Sequence, residues 1–205
     1  MHTQVRSSLL LAGACLFACI SVSAQVTHAG VSQSNVSVDL AFTYSPERAQ
    51  IVPSQCCFWM HGGSVDAALN FGSGFGIAAS FTGEHAATIA PGVDVNKITS
   101  LVGPRYTFTT WSSQTTSGDT RRLQVFGQAL FGSTYAFNGI YPAPGAPTTS
   151  ASSFAIEAGG GINFNFSRHF GLRLAEAEYV RTELPNNGTN TQNDLRMACG
   201  VTFHL

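Results

Sequence analysis

From Asn35 to Tyr44 the residues Val36, Val38, Leu40, Phe42 and Tyr44 alternate with Asn35, Ser37, Asp39, Ala41 and Thr43. A two-residue period marks a β-strand with two unlike faces. Val65, Ala67, Leu69 and Phe71 repeat it, Gly72-Ser73-Gly74 reverses the chain, and Phe75, Ile77, Ala79 and Phe81 carry it back, which predicts a hairpin. A fourth strand is expected over Ile98, Val102, Tyr106 and Phe108, with Pro104 as its weak point. A long fifth runs over Leu123, Val125, Ala129, Phe131, Tyr135 and Phe137. Phe154, Ile156, Ala158, Ile162, Phe164 and Phe166 make the sixth, which turns through Ser167-Arg168-His169 into Phe170, Leu172 and Leu174. That seventh strand breaks phase; a bulge near Ala175 restores it, with Ala175, Ala177 and Tyr179 outward and Glu176 and Glu178 inward. The eighth alternates Leu195, Met197, Cys199, Val201, Phe203 and Leu205 with Arg196, Ala198, Gly200, Thr202 and His204.

The connections alternate in length. Ser45–Gly63, Glu84–Asn96, Asn138–Ser153 and Thr182–Asp194 are long and rich in Gly, Pro, Asn or Thr, whereas Gly72–Gly74 and Ser167–His169 are tight; Thr109–Arg121 is long where a short turn is expected.

Composition decides what such strands face. The 205 residues are 44% hydrophobic and only 10% charged, against roughly 25% charged in an average soluble domain. The polar positions of the strands hold Gly, Ala, Ser, Thr and Asn with scattered charges, where water-facing strands carry Lys and Glu. Small polar side chains suit a narrow lumen, and the larger apolar set then faces lipid. In hydrocarbon every backbone N–H and C=O must be paired within the protein, so strands cross only as a closed sheet. After residue 24 no run approaches the ~20 apolar residues of a membrane helix. Phe58, Trp59, Tyr135, Phe137 and Tyr179 fall near the long-loop ends of strands, and Phe71, Trp111, Phe164 and Phe203 near the other ends, where aromatic girdles belong. The formal net charge of -1 offers no basic face for nucleic acid.

Met1–Ala24 reads as a secretory signal, with Arg6 as its positive start, Leu9–Ile20 as its apolar stretch and Val22-Ser23-Ala24 before a cleavage site at Gln25. The barrel domain is then residues 25–205. A lipoprotein route through Leu16-Phe17-Ala18-Cys19 is the alternative.

The chain resembles the small OmpA-like outer-membrane β-barrels without a peptidoglycan-binding domain. The likeness is carried by Gly62-Gly63-Ser64, Gly103-Pro104-Arg105-Tyr106, Gly159-Gly160-Gly161 with Asn163, Arg173-Leu174 followed by Glu178-Tyr179, and Arg196 to Leu205. The last residue is Leu205 where such barrels typically end in Phe. The resemblance implies an all-β fold, an eight-stranded antiparallel up-and-down transmembrane barrel with a periplasmic amino terminus and four extracellular loops. It also implies a monomer in outer-membrane lipid, delivered by periplasmic chaperones and the barrel assembly machinery, with Phe203 and Leu205 as the carboxy-terminal assembly signal, and no cofactor.

By strand parity the lumen receives Asp39, Asp66, Glu157, Glu176 and Glu178 together with Arg105, Arg122, Arg173 and Arg196. Charges in a narrow interior must pair, as a structural plug or as a gated ion path. His61, His85, His169 and His204 lack metal-site spacing, and Ser167 beside His169 has no third partner. Cys56 and Cys57 are neighbours in the first long loop, and Cys199 points towards lipid. The expected role is structural or interactive at the cell surface, without catalysis; a small pore, a lipid-modifying enzyme and a soluble lipocalin-like binder are the alternatives. The loops do not name their ligand.

Overall fold

In a computed structural model, residues 36–49, 57–90, 93–114 and 120–205 are described. The expected signal segment and Cys56 lie outside them. The strands are β1 (Ser37–Tyr44), β2 (Glu47–Ala49), β3 (Phe58–Asn70), β4 (Phe75–Ala90), β5 (Val93–Gln114), β6 (Thr120–Tyr141), β7 (Thr148–Asn165), β8 (Phe170–Thr182) and β9 (Gln192–His204). All pairings are antiparallel between chain neighbours, except that β1 and β2 both lie between β3 and β9. They are one stave, interrupted at Ser45-Pro46, because Pro46 has no N–H to give the ladder. Its carbonyl still accepts from Met197 N at 3.0 Å, and Ser45 N donates to Gly62 O at 3.0 Å. The sheet therefore closes as a ring of 8 strands, as the alternation predicts.

The register fixes the barrel's dimensions. A row of directly opposed residues runs from Met60 through Glu47, Arg196, Glu178, Gly159, Gln128, Arg105 and Gly76 to Asn70, returning to β3 ten residues from where it began. With eight strands and ordinary strand spacings, that stagger tilts the strands by about 40° and sets a radius of about 8 Å. A 13-residue strand such as β3, β8 or β9 then spans about 30 Å, enough for a bilayer core.

The bulge in β8 falls where phase is lost. Ile162 pairs with Ala175 but Asn163 with Arg173, and Leu174 and Ala175 are both exposed on the outer face before Glu176 and Glu178 turn inward. Pro104 interrupts the ladder to β6 between Val102↔Phe131 and Arg105↔Gln128 without ending β5. A further irregularity near Thr110 lets its hydroxyl donate to Leu123 O at 3.1 Å.

The strands are longer than the alternation suggests. Much of Glu84–Asn96, Asn138–Ser153 and Thr109–Arg121 is strand, and β2 and the start of β3 occupy part of Ser45–Gly63. Hairpin pairing continues past the apolar band, and there most outward residues are polar, Trp111 and Ile140 excepted, so the period-two signal fades while the hydrogen bonds persist.

Candidate functional site

Two faces of one sheet hold opposite chemistries. Phe75 is 61% exposed, Val102 54% and Leu174 50%, all outward, whereas inward Arg196 is 1% exposed and Glu157 fully buried. In water this arrangement would be inside out; an outer wall of large apolar side chains is what lipid stabilises.

The interior is layered. In the half nearer the long loops, Arg196 meets four carboxylates: Glu157, Glu47 at 3.1 Å, Glu84 at 3.2 Å and Glu178 at 3.7 Å. Lys97 pairs with Glu47, and with Glu84 at 3.2 Å. The register explains the meeting, because Arg196 stands directly opposite Glu47 on one side and Glu178 on the other. Above this layer two apolar clusters fill the loop end: Ala49, Met60, Ala86 and Val95, and Ala136, Tyr141 and Leu184. The last loop is tied down by buried Gln192, whose amide donates to Leu184 O and accepts from Leu184 N, both at 2.9 Å.

A second charged layer lies lower. Arg173 Nη1 reaches Asp66 at 2.7 Å and Glu176 at 2.8 Å, and its Nε donates to Asn163 Oδ1 at 3.3 Å. Gln128 joins the layers, donating to Glu178 at 2.8 Å and Glu176 at 3.4 Å. Gly159 stands between Gln128 and Glu178 in the register, and a Cβ there would come within 2.9 Å of Glu178 Cγ, so the glycine leaves room for the Glu178 side chain. One row away Gly161 separates Phe126 from Glu176, and a Cβ there would come within 2.8 Å of the Phe126 ring. The ring lies 3.7 Å from the Arg105 guanidinium carbon and 4.8 Å from that of Arg173, so it offers both cations a π face.

At the short-turn end the interior opens into a polar cavity of about 980 Å³ lined by Asp39, Asn70, Arg122, Gln124, Asn165 and His204 among others. Asp39 accepts from Asn70 and His204, each at 2.7 Å. Asp39 and His204 are opposed residues of the seam between first and last strands. Nearby, Phe203 packs edge-on against Phe42 and Phe170, and Leu205 N donates to Val38 O at 2.9 Å.

Of the residues expected in one lumen network, Asp66, Glu157, Arg173, Glu176, Glu178 and Arg196 come together; Asp39 sits apart in the cavity. Arg122 is a correction. It is exposed at the cavity mouth, opposite the last residue of β7, where an inward side chain meets open space. Arg105 is a second. It is buried, but among the described residues no carboxylate is within ion-pair distance; its Nε meets Thr107 Oγ1 at 3.4 Å and Phe126 takes the cation. Glu47, Glu84 and Lys97 were missed, lying in segments read as loop or at a loop edge. Their signal was present: each keeps the inward parity of its strand.

Ser167 does not face His169 as a catalytic pair. Its Oγ accepts from the backbone N–H of His169 and Phe170 at 3.3 and 3.0 Å, while the His169 ring meets His204 O at 3.1 Å. Cys199 lies exposed on the outer face, as expected, and forms no disulfide. Among the described residues no group of three or more His, Cys, Asp or Glu could hold a metal ion.

No family model and no curated protein matches the sequence. Solved structures match in shape. Neisserial surface protein A, 15% identical, aligns over 83% of this chain and 97% of its own with a TM-score of 0.59. This is the fold of the small OmpA-like outer-membrane β-barrels. Ail, the attachment invasion locus protein of Yersinia pestis, is 14% identical over 85% of this chain and all of its own (100%) with a TM-score of 0.47. The amino-terminal β-barrel domain of Pseudomonas aeruginosa OprF is 15% identical over 84% and 98%, with a TM-score of 0.44.

Proposed function

We propose that this barrel resides in the bacterial outer membrane and works through its loops and outer wall, with a lumen closed to solutes. The observation that carries this reading is Arg196, held by four carboxylates in a fully buried layer beneath two apolar clusters. A barrel of eight strands has an interior its own side chains can fill, and such a layer leaves no continuous path for water. The apolar outer wall supports residence in lipid, and the similar Neisserial protein is by its name a surface protein. On this reading Met1–Ala24 is an export signal removed before Gln25, chaperones and the assembly machinery recognise the end of β9 at Phe203 and Leu205, and the protein is monomeric and non-catalytic.

Fractionation combined with protease treatment of intact cells tests it. The chain should enter the outer-membrane fraction, with cuts confined to residues 142–147 or 183–191 and none at Gly72–Gly74 or Ser167–His169. A chain found in the soluble periplasm, or cut only at the short turns, overturns residence or orientation respectively.

A further inference from the structure

On the outer face, where the strands leave the apolar band near the long loops, four polar or aromatic residues stand side by side: Tyr44 on β1, His61 on β3, His85 on β4 and Asn96 on β5. All are on the outward parity, and both histidines are exposed. The register opposes His61 directly to His85, and His85 to Asn96. Opposed residues of an antiparallel pair carry their Cβ atoms about 4.5–5.5 Å apart, close enough for two imidazoles to share one ion.

Each ring is held from its far side. His61 Nδ1 lies 2.6 Å from the Tyr44 hydroxyl, and the two rings stack at 6.2 Å with planes 11° apart. His85 Nδ1 lies 2.9 Å from Asn96 Oδ1. A carbonyl oxygen only accepts, so His85 carries its hydrogen on Nδ1 and leaves Nε2 bare. The Tyr44 oxygen can accept the same way from His61. Tyr44 and Asn96 flank the pair on opposite sides, so each Nδ1 is engaged away from the other histidine and the two Nε2 atoms are the nitrogens left for a ligand. A metal-bound histidine characteristically donates its other nitrogen to an oxygen in this manner.

We infer that His61 and His85 form a surface site for a divalent transition metal, bound through their Nε2 atoms and completed by water. Imidazole ligands and an open coordination sphere select zinc, copper or nickel over magnesium or calcium. The bound ion would staple β3 to β4 at the loop end, just where β4 and β5 rise above the apolar band.

Zinc is the probe. The full chain, folded in detergent micelles without a histidine tag, is titrated by calorimetry while the imidazole nitrogens are followed by NMR. One Zn²⁺ should bind per chain with the Nε2 signals of His61 and His85 shifting together. H61Q and H85Q should each lower the affinity about a hundredfold, because loss of either ligand removes the chelate. N96A should lower it about tenfold by freeing the His85 ring. H169Q should leave it unchanged, and heat-dependent gel mobility confirms that each variant is closed. Wild-type affinity in either single variant, or a zinc-induced shift at only one of the two rings, overturns the site.

Discussion

The two ends of the lumen are built on different principles. At the loop end the charges are buried, multiply paired and roofed by Met60, Tyr141, Leu184 and their neighbours; at the short-turn end Asp39, His204, Arg122 and Asn165 line an open cavity. The same parity rule aims side chains inward at both ends. What differs is depth, and depth sets the energy: an ion pair in water is worth about 0–1 kcal/mol, whereas stripping one partner from a buried pair costs about 3–5 kcal/mol. The buried half therefore carries more of the stability than the open half.

The largest effect follows from the most connected cation. Arg196→Ala takes the cation from Glu157 and leaves Glu47 and Glu84 with Lys97 alone and Glu178 with Gln128; it should destabilise the barrel by about 3–5 kcal/mol or abolish folding. Denaturant unfolding in micelles, followed by heat-dependent gel mobility, measures it. A loss below ~1 kcal/mol would show that the layer is wetter than its burial implies.

Arg173→Ala comes next, at about 3 kcal/mol, since it strips two carboxylates but leaves Arg105 on the Phe126 ring and Gln128 on Glu176 and Glu178. If Arg173→Ala proved costlier than Arg196→Ala in the same assay, the weight of the structure would sit in the lower layer.

Strand parity made much of this legible. It gave the eight staves, the tight turns, the β8 bulge and the inward course of Glu157, Arg173, Glu176, Glu178 and Arg196. Parity names a face but not a height. Arg122 has the inward parity of Phe126 and Gln128 and still ends at the cavity mouth, because β6 runs past the rim. Glu47, Glu84 and Lys97 were hidden for the converse reason, since their segments lack the apolar partners that reveal a strand although the barrel continues through them. The row of Gly159 and Gly161 reads as flexibility in one dimension; only the pairing shows that it clears space for Glu178 and Phe126.

The smallest effect belongs to the open end. Arg122→Ala removes an exposed cation with no ion-pair partner among the described residues and should change unfolding free energy by no more than about 0.5 kcal/mol. A loss approaching that of Arg173→Ala would mean that the cavity is not open, and the contrast between the two ends would fail.

Conductance tests the closed lumen most directly. On the proposed reading of a closed lumen, wild-type protein in planar lipid bilayers should show no steady current, because Arg196 and Arg173 hold buried ion pairs inside it. Arg173→Ala, the milder of the two lesions, should show brief, flickering openings. Large, stable, voltage-independent channels from the unmodified protein would contradict the account, and would make the short-turn cavity the mouth of a pore.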